Sequence, residues 1–444
     1  MNTVQKIVIW GMGVTGQSLL KFAQKKNLDY ICIDKKEPSS PTSFFYLEET
    51  IQLEFLCDFN PDAIVVSPGI DCRSGIWLKI KQKPILVLGE IEFVSLYSKV
   101  PVIAVTGTNG KSTTVNMISK ALEISSIPHF LGGNWGIPYA EILEEKYQDA
   151  QYAILELSSF QLESIKTFTP LISVLLNITP SHMERYAHFE EYLDAKWNIF
   201  QVDFSRDFSK SPIPLVALLP TSQESLFFDR LKNLHRELRF FSKEQLDKLE
   251  GVFYSKAKLI GEHNKENFAV LYQVLLSIKC EKPEIILQKT IEEFKPIAHR
   301  LELCGQWSDI LFFNDSKSTN ITSTITAITS FQDFDPTFQL VLILGGKLRG
   351  PDVTFLEVLK NYSRINEIWT IGEASSLIHK KLSSSFKILE LTNLTTIFQH
   401  LTEIYKNDSK IKMIILFSPS FPSFDQFKNF EERGNIFKKF VQGV

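Results

Sequence analysis

Short apolar runs recur along the chain, each closed by a polar or glycine-rich break and followed by helical spacing. Ile7 to Trp10, Tyr30 to Ile33, Ala63 to Val66, Val102 to Thr106, Tyr152 to Leu157 and Leu171 to Ile178 are rich in Ile, Val and Leu. Near-continuous apolar runs of this kind are expected of strands buried on both faces, as in parallel sheets. Helical patterns follow Gly16 (Leu19, Leu20, Phe22), open at Lys111, and cover Tyr192 to Phe200 and Phe268 to Ile278. A later set of strands is expected at Ile310 to Asn314, Leu340 to Leu344, Ile368 to Ile371 and Met413 to Phe417. The run Ser423 to Phe430 then leads into a final helix. This rhythm predicts an α/β protein with parallel sheets. At 444 residues, about three domains of ~150 residues are expected. Lys99-Val100-Pro101 reads as one hinge and Pro296 to Leu301 as a second linker, which gives limits of 1–98, 99–300 and 301–444. Ser205 to Lys258 is less regular and suggests no function, and Gly261 to Asn267 reads as a polar turn.

The chemistry concentrates at Val102 to Thr114, VIAVTGTNGKSTT. A buried strand meets the turn Gly107-Thr108-Asn109-Gly110, and Lys111-Ser112-Thr113 open a helix. Loop N–H groups and the positive end of the helix dipole then point at one place, which suits a phosphate. Lys111 can reach a terminal phosphate, and a hydroxyl of Ser112 or Thr113 can hold magnesium. Val105 stands where the general pattern has a further glycine, so the loop is a variant. The bland alternative is an ordinary βα turn.

A second glycine motif, Gly11-x-Gly13-x-x-Gly16, follows the first strand, and Asp34 ends the next one. On these residues alone an NAD-binding unit is favoured over a general nucleotide-binding one. Ligands of open α/β sheets sit beyond the carboxyl ends of the strands, which would bring Gly11, Ser67 and Gly69 to one crevice. A tight turn is the alternative for Ser67-Pro68-Gly69. Glu156 sits near the end of an apolar strand, where a carboxylate is costly unless something compensates it. A magnesium ion beside the phosphate loop would do so, and a salt bridge or a solvated strand end is the alternative. His182 follows another strand and is a candidate metal or phosphate ligand. By spacing alone, Lys196 is a solvated helix lysine. Gly132 to Gly136 reads as a glycine-rich loop that carries Asn134. In the last segment every strand ends in polar or glycine-rich residues, which suggests a site for an anion.

Composition narrows the classes. Charged residues are 22% and the net charge is −3, so no nucleic-acid or anionic-membrane partner is expected. The five scattered cysteines (Cys32, Cys57, Cys72, Cys280, Cys304) form no CxxC pair and read as reduced thiols of a cytoplasmic protein. No apolar run is long enough to span a bilayer, and the start MNTVQKIVIWG runs straight into a strand, so no signal peptide is expected.

Taken together, GTNGKST, LELSSFQLE, GGNWG, HMERY, GEHNKEN, HRLE, NDSKSTN and SPSFPSFDQFKNFEERGN resemble, in content and order, the Mur ligases, and most of all the D-glutamate-adding branch. The resemblance spans Gly11 to Gly434. It implies three domains: a Rossmann-like uridine-nucleotide domain, a central P-loop ATPase domain and a Rossmann-like C-terminal domain. It also implies a reaction in which ATP phosphorylates the carboxylate of UDP-N-acetylmuramoyl-L-alanine. The amine of D-glutamate then attacks the acyl phosphate, in peptidoglycan precursor synthesis. Two anions must approach each other, so cations are needed, and separate domains closing over the site would keep water from the acyl phosphate.

Residue roles follow from the same resemblance. Gly107, Thr108, Asn109, Gly110, Lys111, Ser112 and Thr113 would hold ATP, with Asn267, Arg300 and Asp315. Ser112 and Glu156 would bind one magnesium. His182 and Lys196 would serve a second, Lys196 matching the family's carbamylated lysine. Val14, Thr15, Asp34, Lys35, Ser67, Gly69 and Asn134 would face the UDP substrate, which replaces the NAD reading. Lys317, Thr319, Arg349, Ser423, Phe424 and Phe430 would serve D-glutamate. Lys111, His182 and Lys196 are the expected catalytic set, and a monomer is expected. Arg349 stands where a lysine is common, Phe424 where a leucine is, and Ser181 where an acid often precedes the histidine. A folate-type ligase fits less well, since those lack a uridine domain. An NAD dehydrogenase with an accessory ATP site and an inactive UDP-sugar-binding homologue are the remaining alternatives.

Overall fold

The computed structural model describes residues 4–36, 44–72, 75–181, 185–205, 213–252, 261–332, 334–348, 353–408 and 410–443. His182 and Arg349 lie outside the described residues. Seventeen strands form three sheets among them.

The first sheet holds β1 (Lys6–Trp10), β2 (Asp29–Asp34), β3 (Phe45–Leu47), β4 (Ala63–Val66) and β5 (Val87–Gly89), all parallel, in the order β3-β2-β1-β4-β5. Strand order reverses between β1 and β4, which puts the Gly11 and Ser67 loops side by side at a topological switch point. The second sheet holds β6 (Val102–Thr106), β7 (His129–Gly133), β8 (Tyr152–Glu156), β9 (Ile172–Leu175), β10 (Val216–Pro220) and β11 (Glu237–Phe241). It is also parallel, in the order β11-β10-β9-β6-β8-β7. The third holds β12 (Glu302–Trp307), β13 (Ile310–Asn314), β14 (Gln339–Gly345), β15 (Ile365–Ile371), β16 (Lys387–Glu390) and β17 (Met413–Ser420). Its order is β12-β13-β17-β14-β15-β16, with β12 antiparallel to β13.

The apolar runs form strands because their side chains are buried on both faces: every residue of β4, β6, β9, β10 and β17 is buried. Several expectations change. The run Leu171 to Ile178 is strand only over Ile172–Leu175, because Asn177 leaves the ladder to brace the phosphate loop. The expected loop at Gly132 begins inside a strand, β7. The irregular segment supplies β10, β11 and the helix Glu224–Leu231, which complete the second sheet. The polar stretch before Phe268 is the first turns of a helix, Glu262–Ser277, rather than a turn. The helix expected from Tyr192 begins at Phe189, ends at Trp197 and tightens into a 3-10 turn.

The chain divides into two compact units. The first comprises Met1–Tyr254 with Glu266–Glu292, and the second Ser255–Lys265 with Glu293–Val444. In the first unit one core runs from Ile7 and Phe22 through Phe93, Tyr139 and Phe168 to Phe227, so it joins the first two sheets. A buried carboxylate adds a polar bolt. Glu92, in the helix Glu90–Ser95, accepts the N–H groups of Lys166, Thr167 and Phe168 at 2.9, 2.8 and 3.0 Å and the Thr167 hydroxyl at 2.5 Å. A Glu92→Gln amide would turn donors toward two of these donors. The expected cost is about 3 kcal/mol, read as a lower urea midpoint for the first unit, and an unchanged midpoint would refute the bolt.

Candidate active site

The loop that follows β6 is pinned by its neighbours. Asn109 N–H donates to Oδ1 of Asn177 at 2.9 Å, Asn177 Nδ2 returns a bond to the Asn109 carbonyl at 3.1 Å, and Thr108 N–H meets the Asn177 carbonyl at 3.0 Å. The Thr108 hydroxyl accepts from Thr179 N–H at 3.0 Å. Gly110 has φ +85°, and a Cβ there would stand 3.0 Å from Oδ1 of Asn267 and 3.2 Å from Leu176. The positive φ favours glycine there, and a side chain would also press Asn267 and Leu176 aside. Asn267 also accepts from the Thr114 hydroxyl at 3.1 Å, so the helix Glu262–Ser277 braces the loop's far side. Thr113 is half-buried on the first helical turn.

Two lysines converge on the loop. Lys111 Nζ donates to the carbonyls of Gly107 and Thr108 at 2.8 and 2.9 Å. Lys196 Nζ donates to the same Gly107 carbonyl at 2.9 Å and to Oγ1 of Thr106 at 3.2 Å. Contrary to the spacing argument, Lys196 is buried: the helix Phe189–Trp197 turns it inward with Tyr192 and Leu193. Burial and the charge of Lys111 hold its amine well below the usual lysine range, and Glu156 acts in the other direction. Glu156 is buried at the end of β8. It accepts the Ser112 hydroxyl at 2.5 Å, and its other oxygen accepts Asn134 Nδ2 at 2.8 Å. Asn134 therefore holds the acid in place here, beside any contact it makes to a substrate. Hydroxyl and carboxylate oxygens are hard donors that suit magnesium, while an ammonium does not. No cluster of three or more His, Cys, Asp or Glu side chains that could hold a metal occurs among the described residues.

In the first sheet the Ser67 hydroxyl donates to the Gly11 carbonyl at 2.7 Å, which ties the two expected nucleotide loops together. Asp34 accepts the N–H of Met12 at 2.5 Å and of Lys36 at 3.2 Å, so it shapes the glycine loop. Val14, the first residue of the helix Val14–Lys25, is 74% exposed beside Thr15, and Lys35 is exposed. Gly69 lies in the turn after Ser67. A cavity of about 400 Å3 opens beneath Ser67 and reaches Gln161 in the second sheet's layer, with Lys81, Lys166 and Arg185 on its walls. Glu90 lines it too, and burial pushes that carboxyl up to about 7. Ser67 was an expected site residue, and Gln161 and Arg185 fall within the LELSSFQLE and HMERY stretches, whereas Lys81, Glu90 and Lys166 belong to no motif.

In the second unit Asp315 is buried. It accepts the hydroxyls of Ser318 and Ser418 at 2.5 and 2.7 Å and the N–H of Leu301 at 3.1 Å, and burial pushes it up to about 6. Arg300 lies just before β12 and lowers that value. Lys317 Nζ lies 5.3 Å over the Phe430 ring, Ser423 is buried, Thr319 is half-buried and Phe424 is 65% exposed. Lys317 and Thr319 follow β13, and Ser423 and Phe424 follow the neighbouring β17, so these residues meet at one sheet edge. None of the five cysteines is in a disulfide, and no described helix is long and apolar enough to cross a membrane.

Residues 105–207 match the model of the Mur ligase middle domain. A UDP-N-acetylmuramoylalanine–D-glutamate ligase of Citrifermentans bemidjiense is 31% identical over 99% of this chain and 97% of its own. An enzyme of the same name from Natranaerobius thermophilus is 32% identical over 99% and 98%. Among solved structures, MurF of Acinetobacter baumannii superposes with TM-score 0.59 at 15% identity over 88% of this chain and 87% of its own. UDP-N-acetylmuramate–alanine ligase MurC of Thermotoga maritima superposes with TM-score 0.53 at 15% identity over 99% of both chains. The structural likeness carries the fold, the three-sheet α/β architecture of these enzymes. With relatives at 31 and 32% identity matched over nearly their whole length, the chain belongs to the Mur ligase family.

Proposed function

We infer that this chain is an ATP-dependent amide ligase that adds D-glutamate to UDP-N-acetylmuramoyl-L-alanine in peptidoglycan precursor synthesis. The observation that carries the mechanism is the convergence of Lys111 and Lys196 on the Gly107 carbonyl, 2.8 and 2.9 Å away, beside the Ser112–Glu156 pair. With both amines on one acceptor, the charge of Lys111 disfavours a second charge on Lys196, and the crowding is relieved when an anion arrives.

In this reading Lys111 leaves the loop carbonyls for the terminal phosphate of ATP, and the loop N–H groups hold the rest. Ser112 and Glu156 would hold one magnesium ion, and Lys196, as a carbamate, a second, with His182. The metal would polarise the transferred phosphate and screen the approach of the substrate carboxylate. Asn134 keeps Glu156 aimed. Asn267, Arg300 and Asp315 are assigned to the nucleotide. Val14, Thr15, Asp34, Lys35, Ser67 and Gly69 are assigned to the UDP substrate, and Lys317, Thr319, Arg349, Ser423, Phe424 and Phe430 to D-glutamate. The domain limits 1–98, 99–300 and 301–444 belong to the same proposal.

The direct test is phosphate release with ATP, magnesium and UDP-N-acetylmuramoyl-L-alanine, with D-glutamate, L-glutamate or neither. Release that requires D-glutamate is the expected result. Release driven by another amino acid would move the acceptor, and release under none of these conditions would end the ligase reading.

A further inference from the structure

The final helix, Phe430–Gln442, carries a guanidinium into the middle of the second unit. Arg433 is fully buried. Its Nε donates to Oγ of Ser316 at 3.0 Å, Nη2 to the Ser316 carbonyl at 2.8 Å, and Nη1 to the Phe421 carbonyl at 3.0 Å. The Ser316 hydroxyl itself donates to the Phe430 carbonyl at 2.9 Å. Burial lowers the Arg433 pKa to about 10, with Asp425 acting the other way, so the cation persists at neutral pH. Among the described residues Arg433 makes no ion pair. Burying such a charge is expensive, and the two carbonyls and one hydroxyl that it serves offset only part of that cost.

What the guanidinium holds accounts for its place. Ser316 lies in the loop after β13, and Phe421 in the loop after β17. A third loop, after β14, closes on the same point. Lys347 N–H donates to the Pro422 carbonyl at 2.8 Å. A Cβ on Gly346, whose φ is +138°, would fall 2.2 Å from that carbonyl oxygen and 3.1 Å from Nη1 of Arg433. Strands β13, β17 and β14 are neighbours, so three adjacent loops meet around one planar fork. Two of these loops carry Lys317, Thr319, Ser423 and Phe424.

We propose that Arg433 is the positioning residue of the amino-acid pocket: its fork fixes the spacing of the Ser316 and Phe421 loops, and its charge gives them a fixed positive field suited to a dicarboxylate. The proposal rests on the D-glutamate reading above. Arginine suits the task because a flat guanidinium serves two carbonyls and a hydroxyl at once, whereas a lysine ammonium is a flexible point charge. In a low-dielectric interior its charge also acts over a longer reach than a solvated one would.

The test is steady-state kinetics of the full chain with ATP, UDP-N-acetylmuramoyl-L-alanine and D-glutamate each varied, beside thermal melting. Arg433→Lys is expected to raise the KM for D-glutamate about tenfold, and Arg433→Met about a hundredfold. The KM values for ATP and the UDP substrate are expected to stay within about twofold. Arg433→Ala assayed with added methylguanidinium is expected to regain D-glutamate affinity. If Arg433→Met does not fold, Arg433→Lys decides. An unmoved D-glutamate KM overturns the proposal, as does an equal rise in all three KM values with a lowered melting temperature. The wild-type control separates the two claims. Without D-glutamate-dependent phosphate release in the wild type the functional reading falls, whereas with it and an unmoved KM only the role of Arg433 does.

Discussion

Lys111→Ala is expected to cut ATP-dependent phosphate release by about a thousandfold or more and to change affinity for the UDP substrate by less than about twofold. The asymmetry follows from placement. Lys111 opens the helix Lys111–Ile124 at the carboxyl end of β6, and its amine donates to the Gly107 and Thr108 carbonyls of the loop. The residues assigned to uridine sit instead on the first sheet's loops, where Ser67 and Gly11 bond to each other. Loss of the lysine leaves the loop standing, because Asn177 and Thr179 brace Thr108 and Asn109 independently. A melting temperature within a few degrees of wild type is therefore expected alongside the lost turnover. Turnover that survived in Lys111→Ala would remove the lysine from the catalytic set. A matching loss of UDP-substrate binding would show that the two sites are not separate.

The legible parts of this chain were those in which function and fold write themselves into one short stretch. The phosphate loop needs glycine for its turn, lysine for charge and a hydroxyl at the helix start, all within Gly107 to Ser112. Glu156 stood out because an acid at the end of an apolar strand has to be explained. Other features depended on distant partners. Glu92 bonds to residues more than 70 positions away, and nothing near it in sequence announces four donors. Arg433 and Ser316 are 117 residues apart. Strand β10 is as buried as any other, but prolines at Pro212, Pro214 and Pro220 disguised it as a broken segment. Asn177 was visible as the one amide in LISVLLNI, yet its task of closing the ladder and bracing the loop appears only when β9 lies beside β6. Lys196 is the instructive case. It lies four residues after Tyr192 and three after Leu193, on the buried stripe of its helix, so a face-by-face reading would have put it inside.

That burial makes Lys196→Met the second large effect: phosphate release is expected to fall by at least about a hundredfold while the folded chain becomes more stable. The stability half follows from what the lysine touches. Thr106 Oγ1 donates to the Leu157 carbonyl at 2.8 Å, and the Gly107 carbonyl keeps Lys111, so methionine leaves no polar group without a partner. It removes a buried amine whose protonation is penalised by burial and by Lys111, which is expected to be worth about 1 to 4 kcal/mol. The sign with pH can be worked out. The amine's folded pKa lies below its unfolded value of about 10.5, so the unfolded chain binds more protons between the two. Lysine therefore costs stability at neutral pH, and that cost shrinks as pH rises toward 10.5. In CO2-free buffer, the advantage of Lys196→Met in urea unfolding should narrow over the same range. The same lowered pKa favours the neutral amine, the form that attacks CO2 to make a carbamate with release of a proton. Wild-type activity is accordingly expected to fall when CO2 is stripped from the buffer and to return with bicarbonate, while Lys196→Met responds to neither. A wild type indifferent to CO2 whose mass shows no added carboxylate would leave Lys196 as an amine donor to the loop, and its place among the metal ligands would be lost.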